Sequence, residues 1–129
     1  MKKLLLICLV LSVVGCGHTW QVNRRATGVG NTLCARAATG QSETLAGSHS
    51  IPDVAFVDGK LAEEMRSLSG ELARGYSVKR HAGDVPPPVG DATATHHLII
   101  HTESGAVLGI RLRYDAAGDV FHILSTWTP

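Results

Sequence analysis

The side chains able to do chemistry collect late in this 129-residue chain, as His96, His97, His101, Arg111, Arg113 and His122. Imidazoles can hold a metal ion or gain charge near neutral pH, and guanidinium groups pair with carboxylates and phosphates. Spacing argues against a metal. His97 and His101 lie four residues apart, about 13 Å along a strand, His96 points away from both, and a cation at Arg111 opposes a second one beside it. There is no HExxH, no paired CxxC and no His-rich tract, so neither a metal nor another cofactor is expected. A weakly cationic, partly apolar face remains, suited to an acidic partner and more positive below about pH 6.5. The plainer alternative is a solvated sheet face.

Nucleophilic catalysis lacks its parts. Ser42 in Gly40-Gln41-Ser42-Glu43 falls one position short of a nucleophile elbow, and His49 and Ser50 are neighbours only along the chain. Glu63 and Glu64 are adjacent on a helix and diverge. Thr27-Gly28-Val29-Gly30-Asn31-Thr32 has no Gly-Lys-Ser/Thr ending to make it a phosphate loop. No enzymatic activity is expected.

The elements that must position the His/Arg face are readable in the last third. Thr95 to Thr102, Ala106 to Tyr114 and Val120 to Trp127 are β-rich runs separated by Glu103-Ser104-Gly105 and Asp115-Ala116-Ala117-Gly118, which makes an antiparallel meander. A three-residue first loop sets Ile100 opposite Leu108 and Leu98 opposite Ile110. A four-residue second loop sets Leu112 opposite Phe121 and Ile110 opposite Ile123. This register lines up His97, Arg111 and His122 on the other face, with His101, Arg113 and Thr126 nearby and Ile99, Val107 and Leu124 between them.

Upstream, Asp53 to Val57 reads as a short strand, and Asp58 caps a helix from about Gly59 to Arg74, ended by Gly75. Leu61, Met65, Leu68 and Leu72 form its apolar stripe, which must be buried against the sheet. Tyr76 to His81 makes a further strand. Gly83 to Gly90, with three consecutive prolines, is a stiff surface connection. Gly17 to Ser50, rich in Gly, Ala, Thr and Ser, reads as a tether and loosely structured arm with one strand around Trp20-Gln21-Val22. The fold class is α+β: one amphipathic helix packed on an antiparallel sheet that ends in a three-stranded meander.

The N-terminus carries an address. Lys2 and Lys3 precede an unbroken apolar stretch, Leu4 to Val14, that suits a signal peptide and is too short to span a bilayer. Val13-Val14-Gly15-Cys16 follows and resembles the lipobox of bacterial lipoprotein precursors. That resemblance implies cleavage before Cys16, acylation of its sulfur and anchoring of the mature chain by two or three fatty chains. Gly17, not Asp, follows the cysteine, which by analogy with enterobacterial lipoproteins directs the protein to the outer membrane, facing the periplasm. Removing residues 1–15 leaves Lys+Arg 10 against Asp+Glu 11, without the basic excess that nucleic-acid binding needs. Cys8 leaves with the signal and Cys16 is blocked, so Cys34 is one free thiol, read as a small buried hydrophobe.

Three segments are therefore expected: a signal peptide at 1–15, a lipidated tether and arm at 16–50, and a small α+β domain at 51–129. The function expected is that of a membrane-anchored module binding another envelope or periplasmic protein, as an assembly accessory, inhibitor or immunity factor. The other reading is a small-ligand or metal-binding lipoprotein that uses the same His/Arg face.

Overall fold

A computed structural model describes the backbone of residues 2–81 and 93–129, with side chains from residue 18 onward. The proline-containing connection at 83–90 lies outside the described residues, as does the side chain of Cys16.

The largest departure from expectation is at the start. Lys2–Ala38 form one helix, α1, where a loose arm with a strand at Trp20–Val22 was expected. Val22, Ala26, Val29, Leu33 and Ala37 recur at steps of four, three, four and four and are buried, with Cys34 beside them. This is a helical stripe built mostly from short side chains. Gly30 shows why they must be short: a Cβ there would stand 2.6 Å from Val78 Cγ1 and 3.2 Å from Leu98 Cδ1. The helix backbone rests almost directly on the sheet. Its end is a Schellman turn, with Gly40 at φ 78° and the Gln41 and Gly40 amides donating to the carbonyls of Arg36 and Ala37.

Next come a 3₁₀ turn at Ser42–Thr44, the paired two-residue strands β1 (Gly47–Ser48) and β2 (Phe56–Val57), and helix α2 (Gly59–Ser67). The strand expected over Asp53 to Val57 is thus reduced to its last two residues, while Val54 forms an isolated parallel bridge to Phe121. Asp58 caps α2 by accepting the Leu61 amide at 2.8 Å. The expected helix over 59–74 is broken. Leu68 leaves helical geometry (φ −93°, ψ −1°) between α2 and α3, Ser69–Arg74, where Ser67, Ser69 and Gly70 supply weak helix formers. The stripe survives the break, with Leu61, Met65 and Leu72 buried. Gly75, at φ 140°, ends α3.

Strands β3 (Tyr76–Arg80), β4 (His96–Thr102), β5 (Gly105–Asp115) and β6 (Val120–Trp127) form an antiparallel sheet in that order. The molecule is α+β, as expected. The inner face of the sheet presents Leu98, Ile100, Leu108, Ile110, Leu112 and Phe121 to one apolar core shared with α1, α2, α3 and the 45–57 segment. The folded unit consequently includes much of the region expected to be a tether. Cys34 is fully buried, and desolvation pushes its thiol up to about 12, so it stays protonated and inert.

Arg25 fastens α1 to two loops. Its Nη2 donates to Asp53 Oδ1 at 2.9 Å and its Nη1 to Asp119 Oδ1 at 2.7 Å. Both aspartates take left-handed backbone geometry, φ 67° and 52°, which short acidic side chains tolerate. Arg25, and then the Tyr114 hydroxyl that also donates to it, hold the Asp119 carboxyl below its ordinary range.

Candidate functional site

The face of the sheet turned away from the helices is positioned by two strand junctions. Apart from a shift between Ile100 and His101, which sets His101 opposite Ala106, the β4–β5 register is the expected one, with Leu98 opposite Ile110, Ile100 opposite Leu108 and His97 opposite Arg111. Between β5 and β6 it is not. Arg111 pairs with Ser125 but Leu112 pairs with Ile123, leaving Leu124 as a bulge residue. Phe121 and Ile123 lie opposite Tyr114 and Leu112, not opposite Leu112 and Ile110, because the turn that pairs Asp115 with Val120 shifts the register by two residues before the bulge adds one more.

This one extra residue reverses the faces of everything after it. Thr126, expected outside, lies opposite Ile110 and donates from Oγ1 to Glu64 Oε1 of α2 at 3.2 Å. Trp127, which the unbulged register would point into the core, moves to the outer face opposite Gly109. A Cβ on Gly109 would stand 2.2 Å from the indole, so the ring lies flat on bare backbone.

Arg111 is enclosed beneath this arrangement at 4% exposure. Its guanidinium sits 4.8 Å from the Trp127 ring centroid, and Nη1 donates to Ser125 Oγ at 3.0 Å. His97 meets the same indole edge-on, with centroids 6.0 Å apart. Burial, then the Arg111 charge and His81, lower the His97 pKa from its ordinary 6.5. An imidazole held neutral beside a fixed guanidinium can accept or donate hydrogen bonds, while the arginine supplies a standing positive charge.

The expected row of His97, Arg111 and His122 is only partly assembled. His97 and Arg111 are neighbours, but the register set at the β5–β6 turn, two residues from the expected one, carries His122 to a position opposite Arg113. There its Nε2 lies 3.5 Å from Asp115 Oδ2. His101 stands apart, between Ser77 and Ala106. Sequence reasoning missed Trp127, Ser125 and Asp115. The signal for the first was Gly109, a glycine inside an otherwise strong strand, which marks a bulge or a close approach. Among the described residues no group of three His, Cys, Asp or Glu is placed to hold a metal ion.

Beside Trp127 the sheet edge opens into a cleft of about 370 Å³ between α2 and β6, lined in part by Lys60, Glu64, Leu68, Leu108 and Thr126. Its lining mixes Leu68, Val107 and Leu108 with Ser67, Thr126 and Thr128 and one charge of each sign, a size fit for a side chain or small group. The indole thus forms a ridge between a cationic face and a cleft of mixed polarity.

No family model, curated protein or solved structure matches this chain. No helix among the described residues is long and apolar enough to cross a membrane.

Proposed function

We propose that the chain is a lipid-anchored envelope lipoprotein, non-enzymatic and facing the periplasm, whose outer sheet face binds another protein through an acidic surface. The observation that carries the binding reading is Trp127, laid over Gly109 and stacked on the enclosed Arg111. Tryptophan and arginine anchors in a well-packed, partly desolvated setting dominate protein interfaces, and here the adjoining cleft offers a socket for a partner's side chain. Arg113, His101 and His122 form the polar rim, where charge steers encounter more than it adds affinity. Arg111 acts from below as the fixed charge. The anchor reading is supported by Val13-Val14-Gly15-Cys16 and the basic, apolar segment before it.

A photo-reactive amino acid at position 101 tests the face in intact cells, with one at Glu63, on the exposed side of α2, as the control. A discrete protein adduct is expected from 101 and none from 63, and Arg113→Glu should reduce its yield several-fold. Equal adducts from both positions, or a yield indifferent to Arg113→Glu, would exclude this face.

A further inference from the structure

Trp20 is the most exposed large apolar side chain among the described residues, at 61%. It projects from the solvent side of α1, and the Arg24 guanidinium one turn later covers its ring at 5.3 Å to the centroid. Nothing in the core uses it. Two residues further on, Val22 is 7% exposed, and from there α1 is fixed on the sheet.

We propose that Trp20 lies among the phospholipid headgroups of the membrane that holds the lipid anchor, so that this end of the molecule rests directly on the bilayer with no free linker. The proposal rests on the reading of Cys16 as the acylated residue, and chain length carries it. Cys16 and Trp20 belong to the same helix, and four residues of helix rise about 6 Å. The headgroup layer on each side of the hydrocarbon is about 5–8 Å deep, half the difference between the full bilayer and its apolar core. A sulfur acylated at the boundary of that layer therefore places the indole within it. Uncoiling residues 17–20 would stretch the span only to about 14 Å, still close to the surface.

The residue chemistry agrees with the placement. An indole with one apolar body and one N–H donor is the side chain that collects at this depth, and a guanidinium stacked on it can reach lipid phosphates while keeping its ring contact. Acidic groups on the same end are restrained. Asp119 is ion-paired with Arg25 at 2.7 Å, and His18 is near enough to help lower its pKa, so its charge is offset toward a phosphate surface.

The full acylated protein, purified in detergent and reconstituted into phosphatidylethanolamine/phosphatidylglycerol vesicles, provides the test. The vesicles are doped with phosphatidylcholine carrying a nitroxide on its headgroup, and tryptophan emission is compared with undoped vesicles. The wild type should lose a large part of its emission, while Trp20→Phe, which retains Trp127, should lose almost none. Circular dichroism checks that this exposed substitution leaves the fold intact, and the intact mass reports acylation at Cys16. An acylated wild type quenched no more than Trp20→Phe overturns the proposal and leaves the anchor standing. A mature protein without acyl mass overturns both.

Discussion

His96 is held in one tautomer by its neighbours. The Tyr114 amide donates to Thr95 Oγ1 at 2.8 Å, so the threonine hydroxyl proton is left to donate to His96 Nδ1 at 2.8 Å. His96 Nε2 then donates to Asn23 Oδ1 of α1, also at 2.8 Å. A second proton, on Nδ1, would require the Thr95 hydroxyl to turn its own proton elsewhere and accept in its place. Burial is the main cause lowering the His96 pKa from 6.5, followed by Arg80 and His97, and burial likewise leads for His97. The unfolded chain takes up these protons near pH 6.5 and the folded chain only at lower pH. Stability from the two rings is therefore whole above pH 6.5 and is lost as pH falls through their folded values. Asp115 and Asp119, lowered from 3.8, act in a separate window nearer that value. Urea midpoints measured at about pH 7.5 and about pH 5 should fall for the wild type. His96→Gln/His97→Gln should be flatter across that interval, and an unchanged drop in the double variant would assign the acid sensitivity elsewhere. Asn23→Ala, which removes the acceptor on α1, should cost about 1 kcal/mol at neutral pH.

At the scale of elements, the two glycines in the middle of α1 separate propensity from packing. Gly28 has nothing within 4 Å of a Cβ, whereas Gly30 would press one to 2.6 Å from Val78 Cγ1. Alanine in place of glycine favours a helix interior by about 1 kcal/mol. Overpacking against a β-branched side chain, stiff about χ1, costs about 1–3 kcal/mol. Gly28→Ala should accordingly raise the unfolding midpoint and Gly30→Ala lower it, by up to about 1–2 kcal/mol net. The same sign for both would mean that α1 does not rest on β3 and β4 as described. These residues also explain what was legible in the sequence. The meander, the Asp58 cap and the α2–α3 stripe announced themselves through long apolar side chains at the right periods. The α1 stripe did not, because a helix lying close to a sheet must bury Ala26, Gly30, Cys34 and Ala37, and that composition looks like a linker. The β4–β5 register over His96 to Ile100 followed from alternation, although the turn pairs Thr102 with Gly105 and a shift between Ile100 and His101 absorbs the difference. The β5–β6 register was lost twice. The turn pairs Asp115 with Val120, two residues from the expected alignment, which displaced His122, and the bulge at Leu124, which leaves the alternation before it unchanged, displaced Thr126 and Trp127.

For the whole molecule the question is whether α1 decorates a fold or completes it. The inner face of the sheet gains Val22, Val29 and Leu33 from α1, all buried. At about 1.5–3 kcal/mol for each such side chain, these three contribute about 5–9 kcal/mol, which matches the entire stability of a typical domain. Arg25 adds the only described ion pairs from α1 to Asp53 and Asp119, fixing the loops at one end of the sheet to the helix. The segment that carries the proposed lipid anchor is therefore also a major part of the layer that covers the sheet, alongside α2 and α3. A chain beginning at residue 42 should lack a cooperative thermal transition and bind a hydrophobic dye strongly, whereas one beginning at residue 17 should unfold in a single step. A cooperative transition in the shorter chain would show that α2, α3 and the sheet make a sufficient core alone, and would return residues 17–41 to the status of a tether. If the shorter chain does fail to fold, anchoring and folding share one element. A partner gripping the outer face would then pull against the sheet core itself, with no slack between that core and the membrane.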